Sequence, residues 1–73
     1  MAVIKVKSEV TGSVWKIVAA SGARLGAGET IMILESRKME IPVIAEDGGT
    51  LAELHVTEGE AVSEGQLVAT LHE

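Results

Sequence analysis

Ala2–Lys7 is read as a short β-strand, since from Ile4 to Lys7 apolar and charged residues take turns with a period of two. Gly12–Ala19 reads as a second strand, separated from a third element by Ala20-Ser21-Gly22. Leu25-Gly26-Ala27-Gly28-Glu29 is a tight turn, and Thr30–Glu35 is the next strand. The second half follows the same scheme: Ile41–Ala45, Thr50–Val56, turns at Glu58-Gly59 and Glu64-Gly65, then Leu67–His72. No segment sustains a 3.6-residue apolar period, and the glycine turns leave no room for a long helix.

The scheme repeats because the sequence does. A shift of 37 positions lays residues 4–36 on residues 41–73. It matches Ile4 with Ile41, Glu9 with Glu46 and Leu34 with Leu71, and it brings apolar onto apolar at Val14/Leu51, Ile17/Leu54 and Ile31/Val68. Three glycine pairs, Gly12/Gly49, Gly22/Gly59 and Gly28/Gly65, carry the most weight, since glycine marks sharp turns or positive φ. Two like units, neither able to bury its apolar face alone, predict two small antiparallel sheets packed face to face with pseudo-two-fold symmetry. The expected class is all-β, a flattened β-barrel or sandwich of two four-stranded sheets (a barrel-sandwich hybrid) built from residues 1–73 as one domain.

Composition agrees. The chain has nine Val, six Ile and six Leu, one aromatic residue (Trp15) and no cysteine, so aliphatic packing has to hold it together without disulfides or thiolate ligands. A net charge of −5, with no basic patch alternating with aromatics, argues against nucleic acid. Every Lys and Arg lies at or before Lys38, while residues 41–73 carry seven acids and no base. That asymmetry reads first as solubility and second as steering towards a basic partner. Apolar runs of about four residues are far short of a membrane span, and the start lacks the apolar core of a signal peptide, so a cytoplasmic setting without membrane contact is expected.

Between the repeats stand Arg37, Lys38, Met39 and Glu40. A short link between like units is a tight, exposed connection, which puts one amine at the symmetry midpoint. Pro42 belongs at a strand start or edge and stiffens the exit from the link. The whole pattern resembles the biotinyl/lipoyl attachment domain family from about Val3 to Leu71: strand, glycine turn, second glycine turn, a strand ending in Glu, a hairpin, and the same again. The biotin branch of that family reads Glu-Ala-Met-Lys-Met at the hairpin, with Ser often replacing Ala. Glu35-Ser36-Arg37-Lys38-Met39 fits at every position but Arg37, where the family has Met. The lipoyl branch reads Asp-Lys-Ala, and this chain has neither the Asp nor the Ala. The resemblance therefore implies covalent biotin on Lys38, with Glu35, Arg37 and Met39 as flanking recognition residues. Lipoate is the alternative cofactor.

The resemblance further implies a carrier with no catalytic residue of its own. A biotin protein ligase would load Lys38, and the arm would serve a biotin carboxylase and a carboxyltransferase, most readily those of an acyl-CoA carboxylase. The loop that some biotin carriers insert between the second and third strands has no room in Val18–Gly22, so a minimal carrier is expected. A third reading is an unmodified β-domain acting as an interaction or scaffold module, with Arg37 marking loss of ligase recognition.

Other residues offer less. Simple alternation puts Trp15 on one face with Ile17, in a packing role. Met39 has a bland alternative as gap filler at the hairpin base. His55 and His72 have no spacing for a metal, and no serine has a histidine neighbour with which to form a nucleophilic constellation. Glu46-Asp47 and Glu58/Glu60 flank glycine turns and read as loop solubility.

Overall fold

The computed structural model describes residues 3–73. It contains eight strands: β1 (Val3–Lys7), β2 (Gly12–Ile17), β3 (Arg24–Leu25), β4 (Glu29–Ser36), β5 (Met39–Ala45), β6 (Gly49–Leu54), β7 (Ala61–Val62) and β8 (Leu67–His72). The strand expected over Ala2–Lys7 is present from Val3; Ala2 lies outside the described residues. β2 and β6 stop two residues earlier than the sequence pattern suggests, and Leu25 leaves the expected turn to join β3. No helix long and apolar enough to cross a membrane occurs among the described residues.

The strands form two four-stranded antiparallel sheets, β1-β8-β6-β3 and β5-β4-β2-β7. Each sheet takes two strands from each half of the sequence, so the halves interleave and neither half is a sheet by itself. The repeat is exact enough to appear in single hydrogen bonds. Gly22 N–H donates to Leu51 O at 2.7 Å, and Gly59 N–H to Val14 O at 2.7 Å. Gly28 N–H donates to Ala45 O and Gly65 N–H to Ser8 O, again both at 2.7 Å. These bonds run between the sheets' component halves, which is how two marginal units are tied into one core.

That core is aliphatic and follows the same symmetry: Val14 with Leu51, Leu25 with Val62, Ile31 with Val68, Leu34 with Leu71, all buried. Burying such side chains contributes roughly 1.5–3 kcal/mol each, the main favourable term in a chain without disulfides. Ser8 is the buried polar exception; its Oγ donates to Val10 O at 2.6 Å and accepts from Val10 N–H at 3.3 Å, so its burial leaves no polar atom unpaired.

Trp15 departs from expectation. The β2–β4 register shifts between Val14 and Lys16, leaving Trp15 as the extra residue of a β-bulge. The bulge ends the simple alternation, and Trp15 is 50% exposed instead of packed in the core. β6 bulges at the equivalent place, with Ala52 as its extra residue.

Candidate functional site

The β4–β5 hairpin is the longest pairing in the molecule, running from Glu29↔Ala45 to Ser36↔Met39. Only Arg37 and Lys38 remain as its loop, because Met39 and Glu40, expected in the link, already belong to β5. Both loop residues have positive φ, 52° for Arg37 and 66° for Lys38. Two central residues at positive φ define the turn whose twist matches that of paired strands, a turn that usually carries Asn-Gly. Non-glycine residues there cost about 1–2 kcal/mol each. The paired strands on either side hold them in that conformation, and both side chains project into solvent.

The hairpin base is clamped from one side. Ser36 Oγ donates to Thr11 O at 2.9 Å, and Thr11 Oγ1 in turn accepts from Glu64 N–H at 3.1 Å. Gly12 follows at once and lies directly against the Glu35 carbonyl. Pro42 sits in β5, the edge strand of its sheet, as its missing N–H requires. The base of the tip is therefore tied to the loop before β2 and packed against Gly12.

Lys38 and Arg37 are exposed at the apex, and Met39 is 64% exposed, too open to be filling a gap. Glu35 pairs with Glu40 across the hairpin and with Ser13 on the other side, and both carboxylates are exposed. Glu40 is the residue sequence reasoning passed over. Its position opposite Glu35 follows only from a two-residue loop. The four predicted site residues, Glu35, Arg37, Lys38 and Met39, thus gather at one end of the molecule. The opposite end, reached along β1, is the pairing Val3↔His72, the symmetry mate of Glu40↔Glu35.

Lys38 lines neither of the two grooves found among the described residues. A groove of about 540 Å³ between β1 and β5 is lined by Ile4, Val6, Ile41 and Val43 among others, and does not include it. No group of three or more metal-ligating side chains forms among the described residues. His55 Nε2 lies 2.7 Å from Thr70 Oγ1 on the exposed face of the other sheet, and Glu58 and Glu60 accept backbone N–H groups from Ile17 and Thr57 at 2.9 and 3.1 Å. The carboxylates read as loop solubility therefore also fasten the turns. The Lys38 amine stands exposed at the hairpin apex.

Residues 2–71 match the family described as biotin-requiring enzyme, the biotin/lipoyl attachment domain. A biotinylated protein TB7.3 homolog of Mycobacterium leprae (strain TN) is 36% identical over 66 residues, covering 90% of this chain and 93% of the relative. A biotin/lipoyl attachment protein of Bacillus subtilis (strain 168) is 36% identical over 66 residues, with 90% of each chain covered. Among solved structures, the urea carboxylase of Kluyveromyces lactis superposes with a TM-score of 0.93 at 35% identity, over 99% of this chain and 6% of that much longer one.

Proposed function

Since the chain belongs to the biotin/lipoyl attachment family, we propose that it is a biotin carboxyl carrier, modified at Lys38 by a biotin protein ligase. The observation that carries this reading is the exposed apex: Lys38 is held at positive φ on a clamped two-residue turn and lines neither described groove. An attachment residue needs that placement, because the ligase must bring an activated carboxyl to the amine. Lys38 Nζ, once deprotonated by the ligase, attacks that carboxyl carbon; an amide C–N bond forms and the activating phosphate ester leaves with the electron pair. Bound biotin supplies the chemistry of accepting and releasing a carboxyl group.

The rest falls to the protein. Arg37 and Lys38 lift the arm off the body, and the Ser36–Thr11 hydrogen bond ties down the base of the hairpin that carries it. A long tether on a rigid base turns encounters with a biotin carboxylase and a carboxyltransferase into local events at high effective concentration. Glu35, Arg37 and Met39 flank the amine within ligase reach. The downstream system we favour is an acyl-CoA carboxylase. Met39, and the absence of Asp before Lys38, set the lipoyl reading second.

The test is the intact mass of the chain after co-expression with a biotin protein ligase and excess biotin. One biotin adduct, mapped to Lys38, is expected. An unmodified chain beside a labelled control carrier would overturn the reading, and a parallel run with a lipoate ligase would then separate lipoyl carrier from scaffold.

A further inference from the structure

The internal repeat supplies a control for the surface residues of the repeated strands, since positions 4–36 on one half have counterparts at 41–73 on the other. On the outer face of β1-β8-β6-β3, register aligns Lys5, Thr70 and Glu53 in one row. The equivalent row on β5-β4-β2-β7 is Pro42, Ile33 and Lys16. Beside it, Trp15 stands where the other sheet has Ala52, and Ile44 stands where it has Lys7. Trp15 is 50% exposed and Ile44 40%. At these four positions the sheet that bears the Lys38 hairpin carries an apolar patch, Trp15, Ile33, Pro42 and Ile44 beside Lys16, where the other sheet has Ala52, Thr70, Lys5 and Lys7; the other sheet in turn exposes Val3, the counterpart of Glu40.

We infer that this apolar face is the docking surface for the ligase that modifies Lys38. The inference rests on the carrier reading and adds the surface through which the carrier is recognised. Geometry selects the occupant. An enzyme acting on the end of a long arm need not touch the carrier body, whereas one acting on Lys38 Nζ must close on the hairpin and cover what flanks it. Ile33 is five residues from Lys38, about 15 Å along the strand. That is within the radius of a standard interface of roughly 800 Å² per partner. Between the apolar row and the tip lie Glu35 and Glu40, like charges directly opposite each other, an arrangement that costs stability in the free protein. A partner with an apolar centre and basic side chains towards the hairpin relieves that repulsion and covers Trp15, the residue type most enriched among interface hot spots.

The repeat also supplies the variant. Trp15→Ala, Ile33→Thr and Pro42→Lys together place on this face the residues that the chain already carries at positions 52, 70 and 5. Steady-state biotinylation with a purified bacterial biotin protein ligase, MgATP and biotin should show KM raised roughly tenfold or more with kcat nearly unchanged. Glu40→Lys, a single exposed change, should raise KM in the same assay, with an effect that shrinks as salt rises. In the carrier labelled with 5-fluorotryptophan, the single ¹⁹F signal should shift on adding ligase, since Trp15 is the only tryptophan. Normal modification of the wild type with KM unchanged in both variants would overturn the docking face alone. A wild-type chain left unmodified would overturn the carrier reading together with it.

Discussion

Gly12 lies so close to the carbonyl oxygen of Glu35 that a β-carbon at position 12 would collide with it. Its repeat mate Gly49 meets the His72 carbonyl in the same way, at 2.5 Å from where a β-carbon would sit. The Gly12 contact lies three residues from Lys38, at the base of the hairpin. Gly12→Ala must push β2 away from β4 and is expected to cost about 1–3 kcal/mol. It should also loosen the adjoining Ser36–Thr11 hydrogen bond. Urea unfolding checks the first, and faster amide hydrogen exchange at Ser36 and Met39 checks the second.

Gly59 is needed for a different reason. Its φ is 88° and nothing lies within 4 Å of an added β-carbon, so the cost of substitution is conformational alone. Gly59→Ala should destabilise by about 1–2 kcal/mol, and Gly59→Asn by less, because Asn tolerates the left-handed region. Equal losses for the two variants, or none for Ala, would show that the Gly59–Val14 hydrogen bond tolerates a shifted turn. Melting curves of the pair decide it.

These glycines also show what could be read in the sequence. Two of the three matched pairs, Gly22/Gly59 and Gly28/Gly65, mark turns, the third, Gly12/Gly49, marks strand starts in close contact with a neighbouring carbonyl, and alternation marks the long strands, because these signals are local. Which strands pair is not local: a repeat says that the halves are alike, and it does not say that β1 joins β8 instead of β2. β3 and β7 have two residues each, too few to show a period. Trp15 was misplaced because one extra residue at a bulge shifts the alternation, although Ala52 at its matched position was a usable signal that no large side chain is required there. The Lys38 tip was legible from the repeat midpoint and the flanking motif. The Glu35–Glu40 pairing was not, since it depends on a loop of two residues in place of four.

The tip itself trades stability for chemistry. Arg37 and Lys38 occupy the two positive-φ positions where Asn-Gly is the favoured pair. Arg37→Asn with Lys38→Gly should stabilise the fold by about 1 kcal/mol or more, a rise of roughly 4–8 °C in Tm for each kcal/mol in a domain of this size. The variant should accept no biotin. Lys38→Ala should likewise lose modification while leaving Tm nearly unchanged, since an exposed side chain contributes little to packing. A large fall in Tm on that change would make Lys38 structural.

Arg37 bears on which of the readings holds. Its side chain is exposed and nothing in the structure explains it: the chain's fold would accept Met there as readily. Arg37→Met should therefore change stability by less than about 0.5 kcal/mol. If the hairpin is a working ligase substrate, restoring Met-Lys-Met should raise kcat/KM for biotinylation several-fold over a wild type that is already modified. A chain unmodified as wild type and modified only as Arg37→Met would instead mark it as a scaffold that has lost its ligase contact. The two outcomes differ in the wild-type mass, so one spectrum of each protein separates them.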